Sequence, residues 1–223
     1  MVVAVIFPAL NEEEAIPELI QQVPDTVRNK KTEIYVVDGG STDKTVEKAV
    51  ENGAKIINQE YEGGKGSAMR EALDKIQADI YAFMDADKTY SPKELNKIVT
   101  PILENNIKHV SGSRFNKRDE DAFQQINYFG NKFLAWFFRR LTFSNIEDFL
   151  TGYRALDSKL VEQLNLNSKG FEIETELVIK TLKKDEKIKE VDINYSSRIG
   201  KSKLDFKTDG TKLVLHAIKY SFK

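Results

Sequence analysis

At 223 residues, 40% of them apolar and 31% charged, the chain can bury one sizeable core and falls within the size of a single domain, so one unit over 1–223 is expected. A formal charge of −1 excludes the basic excess of a nucleic-acid binder, so any anion site must be local. Zero cysteines exclude disulfides, thiolate nucleophiles and sulfur-ligated metals, and two histidines are too few for a His-rich zinc site, so metal chemistry here calls for oxygen ligands. The chain opens on an apolar run, 2–7, without the basic flank and small-residue cleavage site of a signal peptide, and a cytoplasmic protein is expected. Runs at 2–7, 33–37, 55–58, 80–84 and 108–111 read as strands, and the segments between them have helical periodicity. The first helix start shows Asn11 with Glu14 three residues on; a later one shows Ser91, Pro92 and Glu94, a capping box with proline at the first helical position. This alternation predicts an α/β fold with a mostly parallel sheet flanked by helices, where ligands lie outside the carboxyl ends of the strands. The second half is less regular: an aromatic-rich helix over 123–143, a loop, a helix over about 172–184, a short strand near 190–195 and a basic tail. The longest unbroken apolar run, 133–138, is far below the ~20 residues that span a bilayer, so any membrane contact is expected to be peripheral.

Four strand ends carry polar signals: Pro8 to Glu12, Asp38 to Asp43, Gly63 to Gly66, and Asp85-Ala86-Asp87. Asp38 is followed by Gly39 and Gly40, which allow tight turning and close approach to a ribose or base edge; Ser41 or Asp43 equally suits a plain helix cap. Gly63-Gly64-Lys65-Gly66 sets a cation at a helix start, where backbone amides and the helix dipole favour an anion such as a diphosphate; a plain glycine turn fits the same residues. Its spacing is neither a P-loop nor a dinucleotide fingerprint. In extended chain, Asp85 and Asp87 face one side and could hold Mg²⁺ or Mn²⁺ together with substrate phosphates; two turn-capping aspartates are the alternative.

The segments PALNEEEAI, VVDGGSTDKT, GGKGSAMREAL, MDADKTYSP, GSRF, DFLTGYRAL and RIGKSKL, in this order and spacing, resemble family 2 glycosyltransferases of the GT-A fold. They are most similar to the dolichol- or polyprenyl-phosphate mannose and glucose synthases of archaeal type. The resemblance implies a nucleotide-sugar-binding half, 1–115, and an acceptor-binding half, 116–223. It further implies nucleoside positions at Pro8, Asn11, Glu12 and Asp38, donor positions at Lys65 and Ala86, and a metal pair at Asp85 and Asp87. Arg114, Arg154, Arg198, Ser202 and Lys203 resemble the basic positions near donor and acceptor phosphates. The chain departs from the mannose synthases at Gly39-Gly40-Ser41-Thr42-Asp43 and at Lys88-Thr89, so neither sugar nor base is read from it.

In the inverting transfer so implied, an acceptor oxygen attacks the anomeric carbon as a nucleoside diphosphate leaves. A phosphate acceptor, largely ionised at neutral pH, needs cations to hold it rather than a base. A sugar hydroxyl needs a carboxylate, for which Asp148 is best placed, and a glycan-extending enzyme with Asp148 as base is the rival reading. A non-catalytic nucleotide-sugar binder on the same fold is another. Aromatic and basic residues of 123–143, among them Trp136, Phe143, Arg139 and Arg140, suit a lipid headgroup boundary or a buried core helix. The tail at 213–222 could touch the membrane or dock on the sheet. The expected partners are a nucleotide-diphosphate sugar, a polyprenyl phosphate lipid, the cytoplasmic membrane face and a separate membrane protein, with no nucleic acid.

Overall fold

The computed structural model describes residues 1–115, 128–197 and 220. Its elements in order are β1 (Val2–Ala9), α1 (Ile16–Gln22), β2 (Thr26–Val27), β3 (Lys30–Asp38), α2 (Thr45–Glu51), β4 (Lys55–Asn58), α3 (Lys65–Lys75) and β5 (Ile80–Phe83). A 3₁₀ turn (Pro92–Glu94) leads into α4 (Leu95–Asn105), followed by β6 (His109–Ser113), α5 (Tyr128–Thr142), β7 (Arg154–Asp157), α6 (Ser158–Val161), α7 (Ile173–Lys183) and β8 (Ile188–Asp192).

The apolar run of β1 is buried on both faces, as the centre of a covered parallel sheet requires. Val3, Val5 and Phe7 join one core with Ile16, Leu19, Leu95, Ile98 and Val99 of α1 and α4. Ala4 and Ile6 join the other with Ala68, Met69 and Ala72 of α3 and Ile173 and Leu177 of α7. Burying each large aliphatic or aromatic side chain contributes roughly 1.5–3 kcal/mol. A one-residue slip of β1 would exchange these sets between layers, so the two cores hold its register. A third cluster, Phe138, Ile146, Phe149, Val178, Ile179 and Tyr220, packs α5 against α7.

The sheet runs β2-β3-β1-β5-β7-β6-β8, with β4 beside β3. The pairings β1–β3, β1–β5, β3–β4 and β6–β8 are parallel, while β2–β3, β5–β7 and β6–β7 are antiparallel. The α/β architecture is as expected, but the sheet is mixed. β2 is a two-residue edge, and β7 inserts between β5 and β6 from a segment whose four residues, RALD, lack strand alternation.

Neither expected capping box forms. Helix α1 starts at Ile16 without a side-chain cap, because Asn11 adopts φ 53° and turns its amide to another loop. Pro92 does open its turn, but Ser91 makes no side-chain cap and Glu94 instead accepts Asn194 N at 2.8 Å. Of the helix expected over 123–143, the part before Tyr128 lies outside the described residues; the described helix ends at Thr142, where Phe143 takes φ 51°. Tyr220, the one described residue of the tail, docks in the third core.

Candidate active site

The carboxyl ends of β1, β3 and β5 open into one cleft, walled by Pro8, Ala9, Leu10 and Glu12 after β1 and by Gly39 after β3. Asn11 and Asp38 brace this wall from behind. The Asn11 side-chain carbonyl accepts Thr42 N at 2.8 Å, and Ser41 Oγ accepts Asn11 N at 2.9 Å, so the two loops hold each other. The buried Asp38 carboxylate accepts Gly40 N and Ser41 N at 3.0 and 3.1 Å, closing its own turn around Gly40 at φ 91°. Asn11 and Asp38, two of the four nucleoside candidates, are therefore engaged in shaping the loops.

Gly63, Gly64 and Lys65 form another wall, at the start of α3 as the sequence implied, and two of the amides at this helix start are already taken. Lys169 O accepts Gly64 N at 2.9 Å and Ser67 N at 3.1 Å. A Cβ on Gly66 would fall 2.6 Å from Ser168 O, so glycine there is what lets the 168–170 loop seat on the helix end. Phe171 from that loop and Gln59 complete the cleft; neither is singled out by sequence.

Lys65 enters the cleft but does not offer a free cation. Its ammonium pairs with Asp85 and with Glu174, the latter at 2.5 Å. Burial alone would lower this lysine, but the Asp85 and Glu174 carboxylates overcome it and raise it, so it stays protonated. Asp85 lies directly against Gly152, where an added Cβ would stand 2.5 Å from the carboxylate. Gly152 is itself held by donating its N–H to the buried Tyr90 hydroxyl at 2.9 Å.

Asp87 is buried at the strand end, its Oδ1 accepting Thr89 N at 3.1 Å and Thr89 Oγ1 at 2.5 Å. Asp85, Ala86 and Asp87 all line the cleft, so the two aspartates border one space; they do so in the bend that follows β5 rather than by strand alternation. Among the described residues no group of three or more His, Cys, Asp or Glu forms a ready cation cage. Two hard oxygen donors beside a cleft suit a Mg²⁺ or Mn²⁺ ion that draws its other ligands from phosphates and water. The donor set therefore fits that cofactor.

Arg114 and Asp148 form a buried two-point pair: Nε donates to Oδ2 at 2.6 Å and Nη2 to Oδ1 at 2.7 Å. Burial opposes the charged guanidinium, but Asp148 holds Arg114 well above its usual value. Both oxygens of the candidate base thus already accept from an arginine. Arg154 corrects the expectation of a phosphate contact: it is fully buried, and its guanidinium donates to Thr151 O at 2.7 Å and Phe149 O at 3.3 Å. It holds the 149–152 loop from beneath. His109 beside it is driven well below its usual value by burial and by Arg154, and is neutral. Arg198, Ser202 and Lys203 lie outside the described residues.

Sequence reading missed Glu174, Tyr90 and Gly152 as site residues. Tyr90 and Gly152 sat unmarked within the segments quoted above. For Glu174 the signal was the apolar run Leu177 to Ile179 on the same helix: acids on a buried helix need partners.

A family model described as glycosyl transferase family 2 matches residues 4–164. Glycosyltransferase AglJ of Haloferax volcanii is 34% identical over 197 residues, covering 88% of this chain and 63% of that protein. A dolichol-phosphate mannosyltransferase of Pyrococcus furiosus is 32% identical, covering 93% of this chain and 60% of that one. The chain thus spans about three fifths of the length of these relatives. Among solved structures, glucosyl-3-phosphoglycerate synthase from Mycobacterium tuberculosis, in complex with Mn²⁺, UDP and glucosyl-3-phosphoglycerate, superposes with a TM-score of 0.79 over 99% of this chain and 80% of that one, at 23% identity.

Proposed function

The chain belongs to glycosyl transferase family 2, and from that premise we propose that it is an inverting hexosyltransferase that uses a nucleotide-diphosphate sugar and a polyprenyl phosphate at a membrane surface. The observation that carries the donor half is the convergence of Asp85 and Asp87 on one cleft with the loops after β1 and β3. In the transfer, an acceptor oxygen forms the new bond to the anomeric carbon as the bond to the diphosphate breaks on the opposite face, inverting the configuration. A divalent cation held by Asp87 and Asp85 would neutralise the departing diphosphate. Pro8, Glu12 and Gly39 would bind the nucleoside side, with Asn11 and Asp38 shaping their loops, while Tyr90 and Gly152 fix Asp85 from below.

A phosphate acceptor is favoured over a sugar hydroxyl because Asp148, the candidate base, has both oxygens on Arg114. The relatives named for dolichyl phosphate chemistry support the same choice. Helix α5 and its end present Trp136 and Phe143, 54% and 95% exposed, beside exposed Arg139 and Arg140, a composition suited to lying at a headgroup boundary. Among the described residues, no helix is long and apolar enough to cross a membrane. A separate membrane protein is not part of this proposal.

The test is calorimetric titration of GDP and UDP with Mn²⁺ and then EDTA, on wild type and Asp87→Ala, followed by transfer assays with polyprenyl phosphate in vesicles and with soluble glycans. Metal-dependent binding of one nucleotide, lost in the variant, with transfer to the lipid alone is expected. Transfer to a glycan hydroxyl would establish the rival acceptor, and absence of nucleotide binding would return the chain to a non-catalytic role.

A further inference from the structure

Three acids alternate at the start of α7, Glu172 at its N-cap and Glu174 and Glu176 in its first turn, and two have local tasks. Glu172 accepts Lys169 N and Gly170 N at 3.1 and 3.0 Å, and Glu176 accepts Asn167 N and Ser168 N at 3.0 and 2.8 Å, so both pin the 167–170 loop. Glu174 does neither. It is 3% exposed and its carboxylate meets Lys65, 109 residues away. Lys65 in turn meets Asp85, whose other flank is closed by Gly152.

A buried ammonium needs one carboxylate to offset its charge, and Asp85 already supplies one. The second is the feature to explain. With Glu174 present, Lys65 is shared between two acids, and the buried Arg154 guanidinium flanks Glu174, donating to its backbone carbonyl at 3.4 Å. With Glu174 neutral, Lys65 and Asp85 would form a closed pair, and any cation approaching Asp85 would have to displace a lysine that has no other buried partner.

We propose that Glu174 is a positioning residue: by sharing Lys65 it keeps Asp85 available to a divalent cation and the diphosphate bound with it. This rests on the donor-site reading above. The effect runs through Lys65 and is therefore separable from the general pull of a nearby negative charge.

The experiment measures Mn²⁺ binding by electron paramagnetic resonance, with UDP and with GDP, on the full chain as wild type, Glu174→Gln, Glu174→Asp, Lys65→Met and the Lys65→Met/Glu174→Gln double variant. Thermal unfolding of each reports folding. Glu174→Gln is expected to weaken nucleotide-linked Mn²⁺ binding about tenfold, within the usual range of coupling between sites. Glu174→Asp, which withdraws the charge by one methylene, gives an intermediate loss and carries the test should the glutamine variant not fold. With Lys65 replaced by methionine, Glu174→Gln should change binding by less than about twofold, as for uncoupled changes. Wild-type binding in both Glu174 variants overturns the proposal, as does an equal loss with and without Lys65. Failure of the wild type to bind Mn²⁺ with either nucleotide overturns the donor-site reading itself, and this inference with it.

Discussion

The carboxylates in the turns at the strand ends of the first half and the buried network that ties the first half to the second satisfy their polar groups over different distances in the chain. Asp38 is bonded by Gly40 and Ser41 and Asp87 by Thr89, each within three residues, and Asp43 by Thr45 two residues on, with Glu13 N joining from the loop after β1. Arg114 and Asp148 meet across 34 residues, His109 and Thr181 across 72, and Lys65 and Glu174 across 109, all in the interior. A local turn can lose one bond and let water in. A buried charge that loses its partner has no such substitute, so the rigidity of the site floor resides in the long-range set.

The sharpest test of this contrast is Arg114→Met, which strands the Asp148 carboxylate at 2% exposure. A loss of roughly 3–5 kcal/mol in urea unfolding is expected, with part recovered by adding Asp148→Asn. A loss under about 1 kcal/mol, the range of exposed pairs, would erase the distinction. Next in size is Gly152→Ala, whose new methyl would meet Asp85 at 2.5 Å. Overpacking of this kind costs about 1–3 kcal/mol by thermal unfolding, and nucleotide-linked Mn²⁺ binding should fall further than stability because Asp85 is what moves.

The smallest effect belongs to the part-buried turns at the strand ends. Burial opposes ionisation of Asp43, but hydrogen bonds from the Thr45 hydroxyl and amide and from Glu13 N outweigh it and hold the carboxyl below its ordinary 3.8. Asp43→Ala should cost about 1 kcal/mol at neutral pH, the net worth of a typical hydrogen bond. A depressed folded-state value means that this contribution is whole above pH 3.8 and is lost as pH falls through the folded value. A pH series of urea midpoints checks it: a difference that grows on acidification would contradict the assignment.

The same contrast explains which parts of the molecule were legible. Strands β1 and β5 could be read because apolar runs buried on both faces leave a continuous signal, and the glycine and aspartate turns at the strand ends are local chemistry. The expected capping boxes failed because Asn11 and Glu94 had partners elsewhere in the fold, Thr42 and Asn194, that no local window contains. Strand β7 was missed because Arg154 and Asp157 at its ends obscure a four-residue strand whose burial comes from both neighbours. Glu174 was missed because an acid among other acids on a helix looks like a solvated face.

The amino-acid sequence by itself determined the α/β alternation, the carboxyl-end rim and the Asp85–Asp87 pair, since these depend on periodicity and on residues adjacent in the chain. Only the tertiary structure decided that Lys65 is shared by two carboxylates, that Arg154 lies beneath the site and that Asp148 faces Arg114. Those outcomes depend on which distant charges are buried together, and the cost of burying a charge alone makes their pairing obligatory once the fold has brought them there.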